Sequence, residues 1–415
     1  MSLSLRDALS GVGVEARVYV LMFVAIMFSG SRFGFAAPYL ILVLLALAAW
    51  MTVSMPSKKQ ATALVNKRYL VLPALLVAFS IFLLWQAAYA LAPSITETYA
   101  RRFLIFAAML VFIPVPAVAV GAVKAAKSYS GLVAASIIGA TTLTGVKSGG
   151  LVGDFQFGGM MMSVACLLFL VDYFVDGARN TDALGFSLAL VGLFISGKRA
   201  FAVLVALGFV ILFLLTRYRA GSTRAARLAA AGLLVVAPLY AFVPAVRELV
   251  ARVQLLALDP FTATSGRNVL WAAASDLFRS NPLTGIGFGN FPVYIGANYG
   301  TSQMGQYLTH NIYYGLLAET GVVGLSLVLA VMLLGIGQTV RELQRARCRG
   351  NDEHYYVVMT ALVLQVWFAL YGLTGNGIYG WHETFIYMGA LGMMLSVRLD
   401  SSRIIRYRSG TRGVS

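Results

Sequence analysis

A chain of 415 residues with 59% hydrophobic positions, 12% charged ones and a net charge of +16 departs from soluble domains, which run nearer ~45–50% apolar and ~25% charged. About twelve spanning segments of ~20 residues each would place most of those apolar positions in a bilayer. The composition excludes a soluble globular enzyme, a disordered chain and a disulfide-stapled secreted domain, and the long continuous apolar stretches exclude an outer-membrane barrel.

The N-terminal stretch carries Asp7 and Glu15 and lacks a small-x-small cleavage site, so the first span reads as a retained anchor. Apolar windows predict spans over 18–34, 35–55, 69–92, 103–120, 131–146, 157–175, 184–197, 201–215 and 225–246. Three more follow over 312–340, 355–373 and 381–397, the first of them long enough to tilt or to begin outside the membrane. The expected architecture is all-α and polytopic. Transmembrane helices 1–9 occupy residues 1–246, a loop domain 247–309, helices 10–12 residues 310–398, and a basic cytoplasmic tail 399–415.

With the N-terminus in the cytoplasm every second loop is basic, holding among others Lys58, Lys59, Lys67, Arg68, Lys127, Arg217, Arg219, Arg341 and Arg345. That is the pattern of the positive-inside rule, and an even number of spans puts both termini on that side. The charge therefore reports topology and does not point to nucleic acid. Cys166 and Cys348 fall in places that should not meet, so no disulfide or metal pair is expected.

The segment 247–309 is far longer than the other loops. Its stretch RNVLWAAASDLFRS predicts a helix over 267–280, started by Ser265 and Gly266 and stopped by Asn281-Pro282. Gly285, Gly287 and Gly289 then give a flexible turn before an aromatic stretch. An ordered loop of this length is usually functional.

Ten basic residues remain on the outer side, where membrane statistics disfavour them: Arg32, Arg101, Arg102, Lys147, Lys198, Arg199, Arg247, Arg252, Arg267 and Arg279. A guanidinium forced into the core costs roughly 2.5–3.5 kcal/mol, so each is expected to snorkel, pair with an acid or hold an anion. Outer acids are fewer, comprising Glu97, Asp154, Glu248, Asp259 and Asp276, with Glu319 and Glu383 at the boundary. Snorkelling or an ion pair suffices for any one arginine. For Arg199, Arg267 and one of Arg101 and Arg102 taken together an anion site is the better account, because arginine forks match phosphate oxygens.

Of the three histidines, His354 sits beside Asp352 and Glu353, where a solvated face is expected, and His382 starts the last span as an interfacial residue. His310 closes the long loop just before the tenth span, and an imidazole there is a natural proton acceptor. No phosphate-binding glycine loop, acidic pair for a metal–nucleotide sugar or HExxH occurs, so neither metal nor cofactor is expected.

The segment SGRNVLWAAASDLFRSNPLTGIGFGNF (265–291), followed by HNIYYGLLAETGVVGL (310–325), resembles the O-antigen ligase/polymerase superfamily. Ser196-Gly197-Lys198-Arg199 is similar to that family's short outer hinge with an essential arginine, and the large loop after the ninth span fits its plan. The resemblance implies a GT-C-like, metal-independent, inverting glycosyltransferase of the bacterial inner membrane with a periplasmic active site. Its donor would be a glycan on undecaprenyl diphosphate and its acceptor a sugar hydroxyl of lipid A–core. It further implies that Arg199 and Arg267, with Arg101, Arg102 and Lys198, bind the donor diphosphate, and that His310 is the general base. Asn311, Tyr313 and Tyr314 would orient the acceptor, and Gly321 and Gly324 would permit close helix packing.

Two alternatives stand beside a ligase. A repeat-unit or exopolysaccharide polymerase would use the same chemistry. A lipid-glycan flippase or twelve-helix transporter would usually show two related halves, which this chain does not.

Overall fold

The computed structural model describes residues 70–112, 155–177, 179–198, 200–216, 267–299 and 308–411, with scattered helical positions between 123 and 141 and between 226 and 251. Among these residues the chain is helical and has no strand. Helix α1 spans Val71–Gln86 and α2 Pro93–Phe112, while α3 spans Phe155–Val171 and runs into a π-helical turn at Asp172–Gly177. Next come α4 (Asn180–Ser196) and α5 (Ala200–Thr216). The loop helices α6 (Arg267–Ser280) and α7 (Phe291–Tyr299) precede α8 (Ile312–Arg349), α9 (Asp352–Tyr371) and α10 (Trp381–Thr411). The predicted spans 18–34 and 35–55 lie outside the described residues, as does most of 225–246, while the described positions of 131–146 are helical. The count of twelve spans and the sidedness of the termini lie outside them too.

Among the described residues three helices are long and apolar enough to cross a membrane: Phe157–Val175, Ile312–Arg349 and Asp352–Tyr371. The first and third are buried on most faces, which is why their sequences are apolar all round. Other helices turn part of their apolar residues outward. Along α5, Val203, Leu207, Val210 and Leu214 are exposed at successive turns, and α8 exposes Val322, Val323, Leu333 and Leu334. Apolar faces of this kind belong in lipid rather than water.

Neighbours in sequence pack in space: α1 on α2, α3 on α4, α8 on α9 and α9 on α10, with α8 also against α1 and α6. Helix α2 starts ten residues before the predicted 103–120, at Pro93, a residue suited to the first helical position. Its opening turns carry Ser94, Thr96 and Glu97, too polar for a hydropathy window. Arg101 and Arg102 therefore lie in mid-helix rather than opening a span.

At the end of the bundle where α8 gives way to α9, Lys127 pairs with Asp172 and, at 3.3 Å, with Asp182, while Tyr356 donates to Asp172 at 2.5 Å. This knot ties α3, α4 and α9 together. His354, expected on a solvated face, is buried there at the start of α9.

The long α8 is two helices. Gly321 has φ 59° and ψ −163° and breaks it. A break strands backbone groups, and here the loop after α6 takes them up. Val322 N–H donates to the Pro282 carbonyl at 2.9 Å and Val323 N–H to Leu283 at 3.2 Å. Reciprocally, the Ala318 and Glu319 carbonyls accept from Ile286 N–H (3.2 Å) and Gly287 N–H (2.9 Å). These four groups freed at the joint find partners in the loop, as buried backbone must. Such an approach requires glycine: a Cβ on Gly321 would stand 2.3 Å from the Leu283 carbonyl carbon, and one on Gly285 2.2 Å from that of Glu319.

Candidate functional site

The joint is held by one buried carboxyl. Glu319 is fully buried and accepts from Phe291 N–H at 2.7 Å, Gly289 N–H at 2.9 Å and the Tyr379 hydroxyl at 2.7 Å. Two of its donors are backbone groups at the start of α7, where a carboxylate is favoured by both hydrogen bonding and the helix dipole. Gln86 at the end of α1 donates to the carbonyls of Thr284 and Glu319. Asn290 takes Ala92 N–H and donates to Thr96 Oγ1 at 2.9 Å. The loop 281–290 is thus fastened to α1, α2 and α8 at once.

This fastening positions the residues on either side of it. At the entrance to α8, Asn311 is the N-cap, its Oδ1 accepting Tyr313 N–H (3.0 Å) and Tyr314 N–H (3.2 Å). A capping asparagine is worth roughly 0.5–2 kcal/mol over alanine. The Tyr313 hydroxyl donates to the Ala369 carbonyl at 2.8 Å, tying α8 to α9. Tyr314 is exposed and stacks on Trp271 of α6, with ring centres 5.8 Å apart and planes 7° from parallel. Trp271 in turn donates to the Thr309 carbonyl at 2.9 Å. Helix α6 therefore lies alongside the HN motif.

His310 is the one non-glycine residue with positive φ among the described residues, at 52°. The left-handed region costs a non-glycine residue roughly 1–2 kcal/mol, and the surrounding contacts hold it there. Its N–H donates to Asn376 Oδ1 at 2.9 Å, and its ring Nδ1 lies 3.2 Å from Asn376 Nδ2. The ring is neutral at physiological pH. Partial burial pushes its pKa down to about 4, and the positive charges of Arg267 and Lys198 add to the effect.

Arg267 opens α6 and donates through Nη1 to the Thr374 carbonyl at 3.2 Å. Lys198 follows the Gly197 C-cap of α4, packing its stem beside Gly159 of α3. Arg267 and His310 thus both bond the 374–376 stretch, and Lys198, from a distant part of the sequence, lies near enough for its charge to act on the ring. Arg199 lies outside the described residues.

Arg101 and Arg102 are placed differently from one another. Arg101 is exposed and pairs with Glu97 at 3.2 Å, one helical turn away. Arg102 is buried, donating to the Tyr379 carbonyl at 2.6 Å, with its guanidinium 4.5 Å from the centre of the Tyr99 ring and 4.4 Å from that of Trp381. Its charge is committed to the protein's own aromatics. Among the described residues no three His, Cys, Asp or Glu side chains converge as a metal site.

Sequence reasoning missed the connection between α9 and α10. In the stretch Gly372-Leu-Thr-Gly-Asn-Gly-Ile-Tyr-Gly380, Gly372 accepts Ile312 N–H at 2.8 Å, Thr374 accepts Arg267, Asn376 holds His310, and Tyr379 joins Arg102 to Glu319. Four glycines in nine residues were the available signal. Glu319, counted only as a boundary charge, proves to be the loop's anchor.

These features define a class: a polytopic helical membrane protein in which a docked inter-helix loop supplies Arg267 and the α4–α5 hinge supplies Lys198 to the surroundings of His310. Residues 184–329 match the family described as O-antigen ligase, a stretch that includes Lys198, Arg199, Arg267 and His310. The similarity to that family lies in this stretch of the chain. No curated protein matches it.

Proposed function

We propose that this protein is a metal-independent, inverting glycosyltransferase that moves a glycan from undecaprenyl diphosphate to a sugar hydroxyl of lipid A–core on the periplasmic face of the inner membrane. The observation that carries this reading is that Arg267 and His310 bond the same 374–376 stretch within reach of the Lys198 charge, with all three in the family-matched segment. In the reaction the acceptor oxygen bonds the anomeric carbon while the bond to the diphosphate breaks with its electron pair. Negative charge accumulates on the leaving diphosphate. Cations already in place stabilise that charge more in the transition state than in the ground state, usually the largest single catalytic effect.

Arg267, Lys198 and the adjoining Arg199 are assigned to the diphosphate. Exposed Arg101 is available to the lipid-borne donor, whereas buried Arg102 serves by holding the 372–380 connection. The acceptor's proton passes to a base, the part expected of His310 from the sequence, and one that requires a lone pair on its substrate-facing nitrogen. Asn311 and Tyr313 support the start of α8, and Tyr314 with Trp271 offers an aromatic surface to the sugars.

Reconstitution into vesicles with an undecaprenyl-diphosphate-linked oligosaccharide and purified lipid A–core tests the reading. Glycan on lipid A–core is the expected product. Lengthened glycan still on the carrier lipid would make the protein a polymerase, and failure of both reactions would overturn the proposal.

A further inference from the structure

Asn376 is a small amide in a connection without charged residues, and it touches His310 twice. The two contacts are not independent. A backbone N–H can only donate, so the atom 2.9 Å from His310 N is the amide oxygen. The amide nitrogen must then be the atom 3.2 Å from His310 Nδ1. An amide nitrogen also only donates, so Nδ1 carries the lone pair. In a neutral imidazole the proton then resides on Nε2. One backbone group fixes the amide, and the amide fixes the ring.

We propose that Asn376 is a positioning residue that holds His310 as its Nε2–H tautomer, so that the open ring nitrogen offers substrate a hydrogen-bond donor rather than a lone pair. This inference rests on the glycosyl-transfer reading for its meaning and on the geometry for its content. Nε2 makes no hydrogen bond among the described residues, and it is not among the buried, unpartnered polar atoms. It is the ring's free edge. A donor there, beside Arg267 and Lys198, suits a diphosphate oxygen or the acceptor hydroxyl oxygen, and the acceptor's proton then passes to solvent water rather than to the ring. Proton abstraction by Nε2 would require the Asn376 amide to turn over. That would set its NH2 against His310 N–H, two donors facing one another. The left-handed backbone at His310 accompanies the arrangement, with main-chain N–H and ring Nδ1 presented to the same amide.

The test uses the full chain, labelled with ring-15N histidine and reconstituted in vesicles, with the His310 signals assigned by their disappearance in His310→Gln. At pH 7 the nitrogen shifts are expected to show a bare Nδ1 and a protonated Nε2. In Asn376→Asp, whose carboxylate accepts from Nδ1–H, the proton should move to Nδ1 or the ring should become an imidazolium. A protonated Nδ1 in the unsubstituted protein, or shifts unchanged by Asn376→Asp, would overturn the proposal.

Activity supplies the second arm. Gln has an N–H at about the reach of Nε2 and no basic nitrogen, so His310→Gln should stay within about tenfold of wild type while His310→Ala loses about a hundredfold or more. Equal loss in both variants would overturn the donor role. Should the unsubstituted protein transfer no glycan, the glycosyltransferase reading fails, and the nitrogen shifts still decide the tautomer.

Discussion

The hydroxyl of Tyr379 donates to the fully buried carboxyl of Glu319 at 2.7 Å, joining the α9–α10 connection to the joint in α8. Tyr379→Phe removes that donor and leaves Glu319 Oε2 with Gly289 N–H alone. Losing a buried hydrogen-bond partner costs about 1–3 kcal/mol. Thermal unfolding of the purified protein in detergent should show a lowered midpoint, with Glu319→Ala lower still because three donors lose their acceptor.

Gly321→Ala should be at least as damaging. The substitution places a Cβ 2.3 Å from the Leu283 carbonyl carbon at a backbone φ of 59°. Strain of this kind costs about 1–3 kcal/mol before any repacking of the loop. Folded protein recovered from the membrane should fall markedly, measured by size-exclusion chromatography in detergent.

Arg267→Ala should leave the amount of folded protein nearly unchanged and reduce transfer by about a hundredfold or more, the usual consequence of deleting a preorganised charge. Arg267→Lys should restore little, since the ammonium lacks the planar fork. Steady-state kinetics on vesicles checks both, and the loss should appear chiefly in kcat/KM.

Arg101 and Arg102 should separate cleanly. Arg102→Ala removes a buried guanidinium from between Tyr99 and Trp381 and its bond to the Tyr379 carbonyl, so thermal stability should drop by a few kcal/mol. Arg101→Ala breaks only an exposed pair with Glu97, worth about 0–1 kcal/mol, so its melting midpoint should scarcely move.

The pH dependence follows from His310. Its folded pKa is depressed to about 4, below the usual ~6.5, so the fold favours the neutral ring. The stability this gives is complete above the unfolded value and is lost as pH falls through the window between about 6.5 and 4. The acid limb of kcat/KM, which reports the free enzyme, should lie near pH 4 to 5, where a proton on Nδ1 would face the Asn376 NH2 and displace the ring. A limb near 6.5 would mean that the ring is solvated in the resting protein.

Much of this was legible in the sequence because bilayer physics writes itself in long apolar runs. Helix α6 coincides with the predicted 267–280, since Asn281-Pro282 ends it sharply. The predicted 157–175, 184–197 and 355–373 lie within a few residues of α3 with its π-turn, α4 and α9. The family motifs single out Arg199, Arg267 and His310, with Lys198 beside them, and their roles belong to the proposal. The early start of α2 was not, because polar residues in its first turns mask a helix that packs against the loop rather than lipid. Asn376 and Tyr379 gave no signal either: an amide and a phenol become informative only once the backbone beside them is known. Asn311 reads as a site residue by adjacency to His310, but its side chain is used in capping α8.

The break at Gly321 also bears on how the protein sits in a membrane. A continuous helix of this length would swing its tip whenever bilayer thickness altered its tilt. Here residues 312–320 are fastened to the loop and to the α9–α10 connection, while 322–349 continue separately beyond the joint. A helix jointed here is expected to lean beyond Val323 while the proposed site at His310 keeps its place, so transfer should vary little among vesicles of different acyl-chain length.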